Sequence, residues 1–293
     1  MERKHPKYIE IAYETADELW AALSPTNELR PNSRFIYRGQ ADSNWSLVPS
    51  FLRATTKPPI SFDARIDASS LIFHELAILQ RFIKHCDTIG ISIPNDSQAF
   101  RKEIVNTQKA DRYYKNPPLW PNPEVLDLMA MAQHHGVPTR LLDWSRKAFT
   151  AAYFAASTAL ARYEEWEPDS RLAIWALDKV GLNSHKDITI HKSPGAISPH
   201  LAAQGGLFTV HPHSGNRGGE FIVKNLEDYI ADIPNSPLYK LTLPVFQSRR
   251  LWYLCSMAGF NGASIYPSAD GAGRAVIDDL YRDAACEKWR PLP

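Results

Sequence analysis

Cysteine is scarce: Cys86, Cys255 and Cys286 are the only three in 293 residues. They lie far apart and none forms a C-x-x-C pair, which argues against a disulfide framework or a zinc ribbon. The pattern predicts a reducing compartment, with each thiol serving as a small core residue. An excess of either charge is missing too. Lys and Arg number 33 against 32 Asp and Glu, so the net charge is +1. No global basic field exists to gather nucleic acid, and no acidic surplus points to a solvating tail. No run of about 18 apolar residues occurs, so no membrane-spanning segment and no membrane partner are expected. The first residues, Met1 to Pro6, lead into no apolar stretch, so no secretory signal is read and a cytoplasmic location is expected. G-x-G-x-x-G, the phosphate-binding G-x-x-x-x-G-K-[ST] and the G-x-S-x-G elbow are all absent, which removes the usual signs of a dinucleotide-binding Rossmann unit, a P-loop and an α/β-hydrolase.

What is present is an ordinary globular composition, 44% hydrophobic and 22% charged. A chain this long can bury roughly 75% of its unfolded surface, so no disulfide or metal is needed for stability. Prolines outnumber glycines by 22 to 14 and predict many stiff loops. Thr15 and Glu18 make a capping box for a first helix. Arg34–Arg38 reads as a short strand ending at Gly39, and residues 40–68 read as irregular. An amphipathic helix starts near Ser70 and stops before Gly90, and a polar helix is expected over Gln98–Tyr113. Asn122, Pro123 and Gly136 mark the start and stop of a helix over 123–135. Val137–Trp144 reads as a link, after which Ser145 can cap a helix rich in alanine and aromatics. That helix is apolar on most sides and should be buried. In the second half Arg171–Leu177, Ile188–His191, Leu207–His211, Glu220–Lys224, Tyr239–Leu243 and Ala263–Tyr266 read as strands, with helices over 246–258 and 273–286. Helices early and strands late predict an α+β fold, a helix-rich half packed on a mainly antiparallel sheet. One domain is expected over 1–293, helical to about residue 160 and strand-rich from about 165.

Three segments depart from generic core. In Tyr37-Arg38-Gly39-Gln40 an arginine at the end of a strand meets accessible backbone, an arrangement suited to gripping a phosphate or carboxylate. From Gln133 to Ser145 polar groups crowd between apolar helices: Gln133, His134, Thr139, Arg140, Asp143 and Trp144 must satisfy one another or face a pocket. Gln204-Gly205-Gly206-Leu207-Phe208 brings glycines into a strand, where a ligand or another backbone can come close. No metal is expected. His134 and His135 are adjacent and diverge on a helix, and His211 and His213 have no acid or thiol at ligand spacing.

These segments, with Trp45, Pro49 and Ala151–Ala155, resemble the FRG-domain family, named for its aromatic-Arg-Gly motif. The Q-H-x-G-x-P-T-R-L-L-D-W block is its most specific part. Ala263–Gly271 resembles the family's closing strand-Pro-acid-x-acid-Gly signature, except that Ser268 stands where an acid is expected. The strand ending in Tyr-Arg-Gly is also similar to the first motif of the arginine-class ADP-ribosyltransferases. That second resemblance implies an ADP-ribosyltransferase-like fold and an NAD-using transferase or NAD glycohydrolase, in the setting of a toxin or phage-defence effector. It implies that Arg38 holds the dinucleotide's phosphates and Gly39 offers backbone, with Thr139, Tyr153 or Phe154 lining the nicotinamide pocket. Asp270 or Glu220 would be the carboxylate, with Gln204 beside them. The acceptor, protein or nucleic acid, is open.

Three readings follow. An enzyme requires Arg38, Gln133, Thr139, Asp143 and Gln204 to converge on one cleft. A non-catalytic module for a nucleotide or nucleic acid requires Arg38 and Arg140 to meet phosphate and Trp45 or Trp144 to stack a base on one exposed face. A purely structural role requires Arg38 to be fully paired, with no cavity beside it.

Overall fold

The computed structural model describes residues 2–26, 34–54, 56–57, 60–61, 67–182, 187–195, 199–231 and 233–289. Its centre is an eight-stranded sheet. In chain order the strands are β1 (Glu2–Lys4), β2 (Ile9–Ala12), β3 (Phe35–Gln40), β4 (Leu141–Ser145), β5 (Arg171–Asp178), β6 (Thr189–His191), β7 (Gly206–Val210) and β8 (Leu238–Pro244). They lie side by side in the order β1-β2-β8-β5-β3-β4-β7-β6. All neighbours are antiparallel except β8 with β2. The principal helices are α1 (Ala16–Leu23), α2 (Ala68–Thr88), α3 (Leu126–His134), α4 (Ala148–Leu160), α5 (Pro199–Gln204), α6 (Ser248–Met257), α7 (Gly262–Ile265) and α8 (Ala269–Lys288). The fold is α+β, with helices segregated from a mainly antiparallel sheet.

Two separate helical layers cover one face of this sheet. α4 packs on Phe35, Tyr37, Ile174 and Ala176 together with α1 and α6. Its alanines 148, 151, 152, 155, 156 and 159 are all buried, and small side chains let the helix axis come close to the strands. At Gly39 the approach is extreme. A Cβ there would lie 2.0 Å from the Ala151 carbonyl oxygen and 2.6 Å from the Ala155 nitrogen. The second layer is α2 with α3, which cover Leu141, Phe208 and Val210 on β4 and β7. The opposite face, with Ile36, Leu142, Trp144, Trp175 and Leu177, is closed by Leu47, Leu226 and Ile230.

The boundary between the two layers falls on the seam between β3 and β4. These strands pair at a single position, Tyr37 opposite Ser145, whereas β5 pairs β8 over seven positions and β7 pairs β4 over five. The sheet is splayed here, and the helices above it part along the same line.

Local signals explain much of this. Thr15 accepts from the Glu18 amide while Glu18 reaches back to the Thr15 amide, completing the capping box of α1. Asp67 caps α2, accepting from the Ser69 and Ser70 amides. Asn122 accepts from Glu124 and starts a turn that runs into α3. Gly136, at φ +83°, ends α3 in the left-handed region that favours glycine.

Several sequence expectations are corrected. Residues 141–145 are a strand, and Ser145 belongs to it; the residue before α4 is Lys147, whose amide donates to Ser145 Oγ. Ala263–Tyr266 is not a strand. Asn261 and Ser264 form a reciprocal cap, and α7 results. Glu220–Lys224 is not a strand either: Glu220 makes an isolated bridge to Asp67, and Ile222 and Val223 are exposed. The helix expected over 98–113 is broken. A π-turn at Phe100–Ile104 gives way at Asn106, whose side chain caps a new turn, before a short helix over Asp111–Lys115. Ile9–Ala12 was not read as a strand; four residues of mixed polarity carry too little periodicity to show one.

Candidate functional site

The valley over the β3–β4 seam encloses a cavity of about 330 Å³. Its floor is Tyr37, Arg38 and Gly39 of β3 with Asp143, Trp144 and Ser145 of β4. Gln133 and His134 at the end of α3 form one wall, and Ala151, Phe154 and Thr158 of α4 form the other. Ala130 of α3, Leu201 and Gln204 of α5, Phe208 of β7 and Tyr266 after α7 complete the lining.

A chain of hydrogen bonds fixes the floor. The Leu141 amide donates to Thr139 Oγ1 at 3.2 Å, and the Thr139 hydroxyl donates to Gln133 Oε1. That orients the Gln133 amide group so that its Nε2 donates to Asp143 Oδ1. From the other side, Arg38 Nη1 donates to the Asp143 main-chain oxygen at 2.9 Å and lies 3.4 Å from Asp143 Oδ2. The guanidinium thus stitches β3 to β4 where the ladder is open. The Asp143 side chain remains 59% exposed while that of Arg38 is 15% exposed. Their ion pair is therefore solvent-screened and contributes about 1 kcal/mol at most. Arg38 Nε is buried and has no hydrogen-bond partner. A buried donor left unpaired costs about 1–3 kcal/mol.

Two cations frame Asp143. Arg53, on a short helix over Ser50–Ala54, feels both Arg38 and Asp143. Loss of surrounding water, then the Arg38 charge, hold its pKa below the ordinary arginine range, with Asp143 acting in the opposite sense. That helix is pinned to the block by the Ser50 hydroxyl and by the Phe51 amide, which donates to the Thr139 carbonyl at 3.0 Å. At the other end of the cavity lies a run of rings. Phe154 meets Tyr266 (centroids 6.2 Å apart), Tyr266 meets His200 at 5.8 Å, and His200 meets His134 at 4.7 Å. Burial, then the neighbouring His200 and His135 rings, lower the His134 pKa below its ordinary value. Burial raises that of Tyr266.

Of the residues singled out from sequence, the structure brings Tyr37, Arg38, Gly39, Gln133, His134, Asp143, Trp144 and Gln204 to the cavity, with Thr139 one bond behind Gln133. Five others lie elsewhere. Gln40 is buried and accepts from Trp175 Nε1 at 2.7 Å. Arg140 is wholly buried and paired with Glu75, with Nη2 2.8 Å from His213 Nδ1. It cannot meet a phosphate in the cavity. Tyr153 donates to Asp278 Oδ2 at 2.5 Å inside the core. Asp270 is exposed in the first turn of α8, and Glu220 is exposed at its bridge to Asp67. Neither lines the cavity. Of the two tryptophans considered for stacking, Trp45 sits under the Arg162 guanidinium at 5.0 Å and Trp144 spends its indole N–H on Thr209. Ser268, standing where an acid was expected, caps α8 by accepting from the Gly271 amide at 3.4 Å; a carboxylate could do the same work there.

Arg53, His200 and Tyr266 were not found from sequence. Arg53 follows a stretch without periodicity. His200 sits on a six-residue helix, too short to show a periodic pattern. Tyr266 was read as strand.

The family model of the FRG domain matches residues 33–164. The chain carries an FRG domain. No curated protein and no solved structure gives a match. The matched span contains β3, α3, β4 and α4, and so Arg38, Gln133, His134, Asp143 and Phe154. Gln204, Phe208 and Tyr266 lie beyond it, so the cavity of this FRG domain is finished by the strand-rich half of the chain. Among the described residues no group of three or more His, Cys, Asp or Glu is placed to hold a metal ion, and no helix is long and apolar enough to cross a membrane.

Proposed function

We propose that the cavity binds NAD or a closely similar dinucleotide and that the protein cleaves its nicotinamide–ribose bond, handing the ADP-ribosyl group to water or to another acceptor. The observation that carries the reading is the largely buried Arg38 side chain lining a cavity that also holds the Asp143 carboxylate. Arg38, backed by Arg53, would take the anionic part. Phe154 and Tyr266 offer faces to a flat ring, and Gln133 and Gln204 offer amide groups to it. A cavity of about 330 Å³ is at the small end of ligand sites, so it suits one nucleoside-sized half of a dinucleotide, with the rest at the mouth. Bound NAD would supply the leaving group. The protein's part is to position the ribose and to stabilise the positive charge that grows on it as the bond breaks.

The carboxylate in this reading is Asp143, in place of Asp270 or Glu220. The Gln133 amide and Arg38 hold it still while it remains open to the cavity. A fixed carboxylate is more effective than a mobile one because it need not reorganise during reaction.

The test is release of nicotinamide from NAD by the purified protein, beside Arg38→Ala and Asp143→Asn. We expect turnover by the wild type and losses of about 100-fold or more in both variants. Absence of both binding and turnover, with protein and nucleic-acid acceptors supplied, would overturn the reading. Binding without turnover by the wild type would favour the non-catalytic alternative, a nucleotide-binding module.

A further inference from the structure

The same cavity holds a group that the reading above leaves without work. His134 closes α3 and is the one imidazole among the described residues that lines the cavity with Asp143. Its ring is tied by ring contacts, to His200 of α5 at 4.7 Å and to His135 at 5.1 Å. Tyr266 backs His200 at 5.8 Å, and Phe82 of α2 backs His135 at 6.3 Å. His200 Nδ1 is buried with no hydrogen-bond partner. A stack of imidazoles and aromatics with a buried, unpaired ring nitrogen is a poor way to stabilise a fold. It is a good way to keep one imidazole neutral beside a reaction centre.

We propose that His134 is the proton acceptor for the attacking nucleophile, and that His200 is a positioning residue that holds the His134 ring and keeps it uncharged. This rests on the reading of the cavity as a site of nicotinamide–ribose cleavage. The step balances without any further reactant. The nucleophile's oxygen forms a bond to the anomeric carbon, and the carbon–nitrogen bond breaks with its electron pair leaving on the pyridine nitrogen. The nucleophile's proton passes to a ring nitrogen of His134. With water the products are ADP-ribose, nicotinamide and a proton.

The charges around His134 favour this role. His135 on the same helix and His200 on α5 press against a positive charge, Asp143 on β4 supports one, and burial opposes one. Their sum lowers the His134 pKa. The imidazole is therefore neutral and able to accept a proton at pH 7, and once charged it faces the Asp143 carboxylate.

The experiment compares wild type, His134→Gln, His134→Ala and His200→Gln by NAD hydrolysis across pH 5–8, by binding of ADP-ribose, and by NMR titration of the His134 ring. For His134→Gln we expect kcat to fall by about 100-fold or more with KM and ADP-ribose binding little changed. The wild-type rate should rise with pH through a pKa below 6.5, the ordinary value for histidine. That limb should vanish in the variant, and added imidazole should restore activity to His134→Ala. The His134 ring should titrate below 6.5 in the wild type and nearer to it in His200→Gln. Turnover by His134→Gln within about threefold of wild type, or a persisting acid limb, would overturn the proton acceptor and leave the cleavage reading standing, and a His134 titration unchanged in His200→Gln would overturn the positioning role of His200. Wild-type protein that binds ADP-ribose yet releases no nicotinamide would overturn both.

Discussion

Arg38 and Arg140 carry the same guanidinium in neighbouring motifs, and the fold gives them opposite tasks. Arg38 lines a cavity and keeps one buried donor nitrogen unspent. Arg140 spends its donors on Glu75, on the His211 carbonyl and on the His213 ring, with Trp120 Nε1 donating to the same Glu75 at 2.7 Å. Removing one partner of a buried ion pair leaves an uncompensated charge and costs about 3–5 kcal/mol. Glu75→Ala should therefore lower unfolding stability by that amount in urea titrations, while Arg38→Ala changes it by about 1 kcal/mol at most. His213 accepts from Arg140 through Nδ1, so its Nε2–H donates to the Ala68 carbonyl at 2.7 Å. Burial, then the Arg140 charge, hold His213 neutral with a pKa lowered to about 2, and the same causes lower His211 to about 3. A histidine whose folded pKa is depressed stabilises the fold fully above 6.5 and less as pH falls below it. Each such group contributes a slope of about 1.4 kcal/mol per pH unit. Urea midpoints should accordingly drop between pH 7 and pH 5, before carboxylates titrate, and His213→Gln should flatten that slope.

At the scale of elements, β3 and α4 meet so closely that one methyl group decides the contact. A Cβ at position 39 would lie 2.0 Å from a backbone oxygen that cannot move without shifting α4. Gly39→Ala should cost about 3 kcal/mol, seen as a lower melting temperature, and should also widen the cavity it borders. The glycine of the aromatic-Arg-Gly motif is thus explained by packing. Gly271 plays a similar part, since a Cβ there would lie 1.7 Å from the Tyr266 carbonyl oxygen; it lets the start of α8 lie close against the Tyr266 backbone. Ser268→Ala removes the α8 cap and should cost about 1 kcal/mol in the same measurement. The elements legible in the sequence were those with chemical punctuation: the capping box at Thr15, the Asn-Pro start and glycine stop around α3, the alanine-rich α4. The convergence of Arg38, Gln133, Asp143 and Gln204 was legible because each sits in a dense polar motif. Two things were not. Leu141–Ser145 alternates over only five residues and follows Pro138, so it looked like a link. The cavity's carboxylate was sought late in the chain, although Asp143 was already present in the block; only the partners of its side chain show that it faces the cavity.

For the whole molecule, the charge balance and the thiols lead to separate expectations. At net +1 no long-range field draws in an anion, so binding should rest on Arg38 and Arg53 and weaken only modestly with salt. ADP-ribose at 100 times its dissociation constant should add about 2.7 kcal/mol of stability to the wild type and much less to Arg38→Ala, as read by thermal shift. Cys86 and Cys255 are buried and Cys286 is half-buried beside Arg282 and Asp283. Burial also pushes the Cys255 thiol well up. A disulfide-exchange reagent should therefore label one thiol of the native protein quickly and the other two only on unfolding.

The seam between β3 and β4 has one more implication. Five strands lie on one side of it and three on the other. Between the two facing strand edges the ladder holds one residue pair, and an arginine side chain adds a further bond. Such a junction is the natural place for the sheet to flex as two leaves, with the cavity in the crease. A ligand drawn onto Arg38 would compete with the Asp143 carbonyl for the guanidinium that ties the leaves, so occupancy and leaf angle become one variable. Hydrogen–deuterium exchange should register it: amides of Asp143 and Trp144 should change their exchange rates on ligand binding, while those of β5 and β8, deep in one leaf, should not.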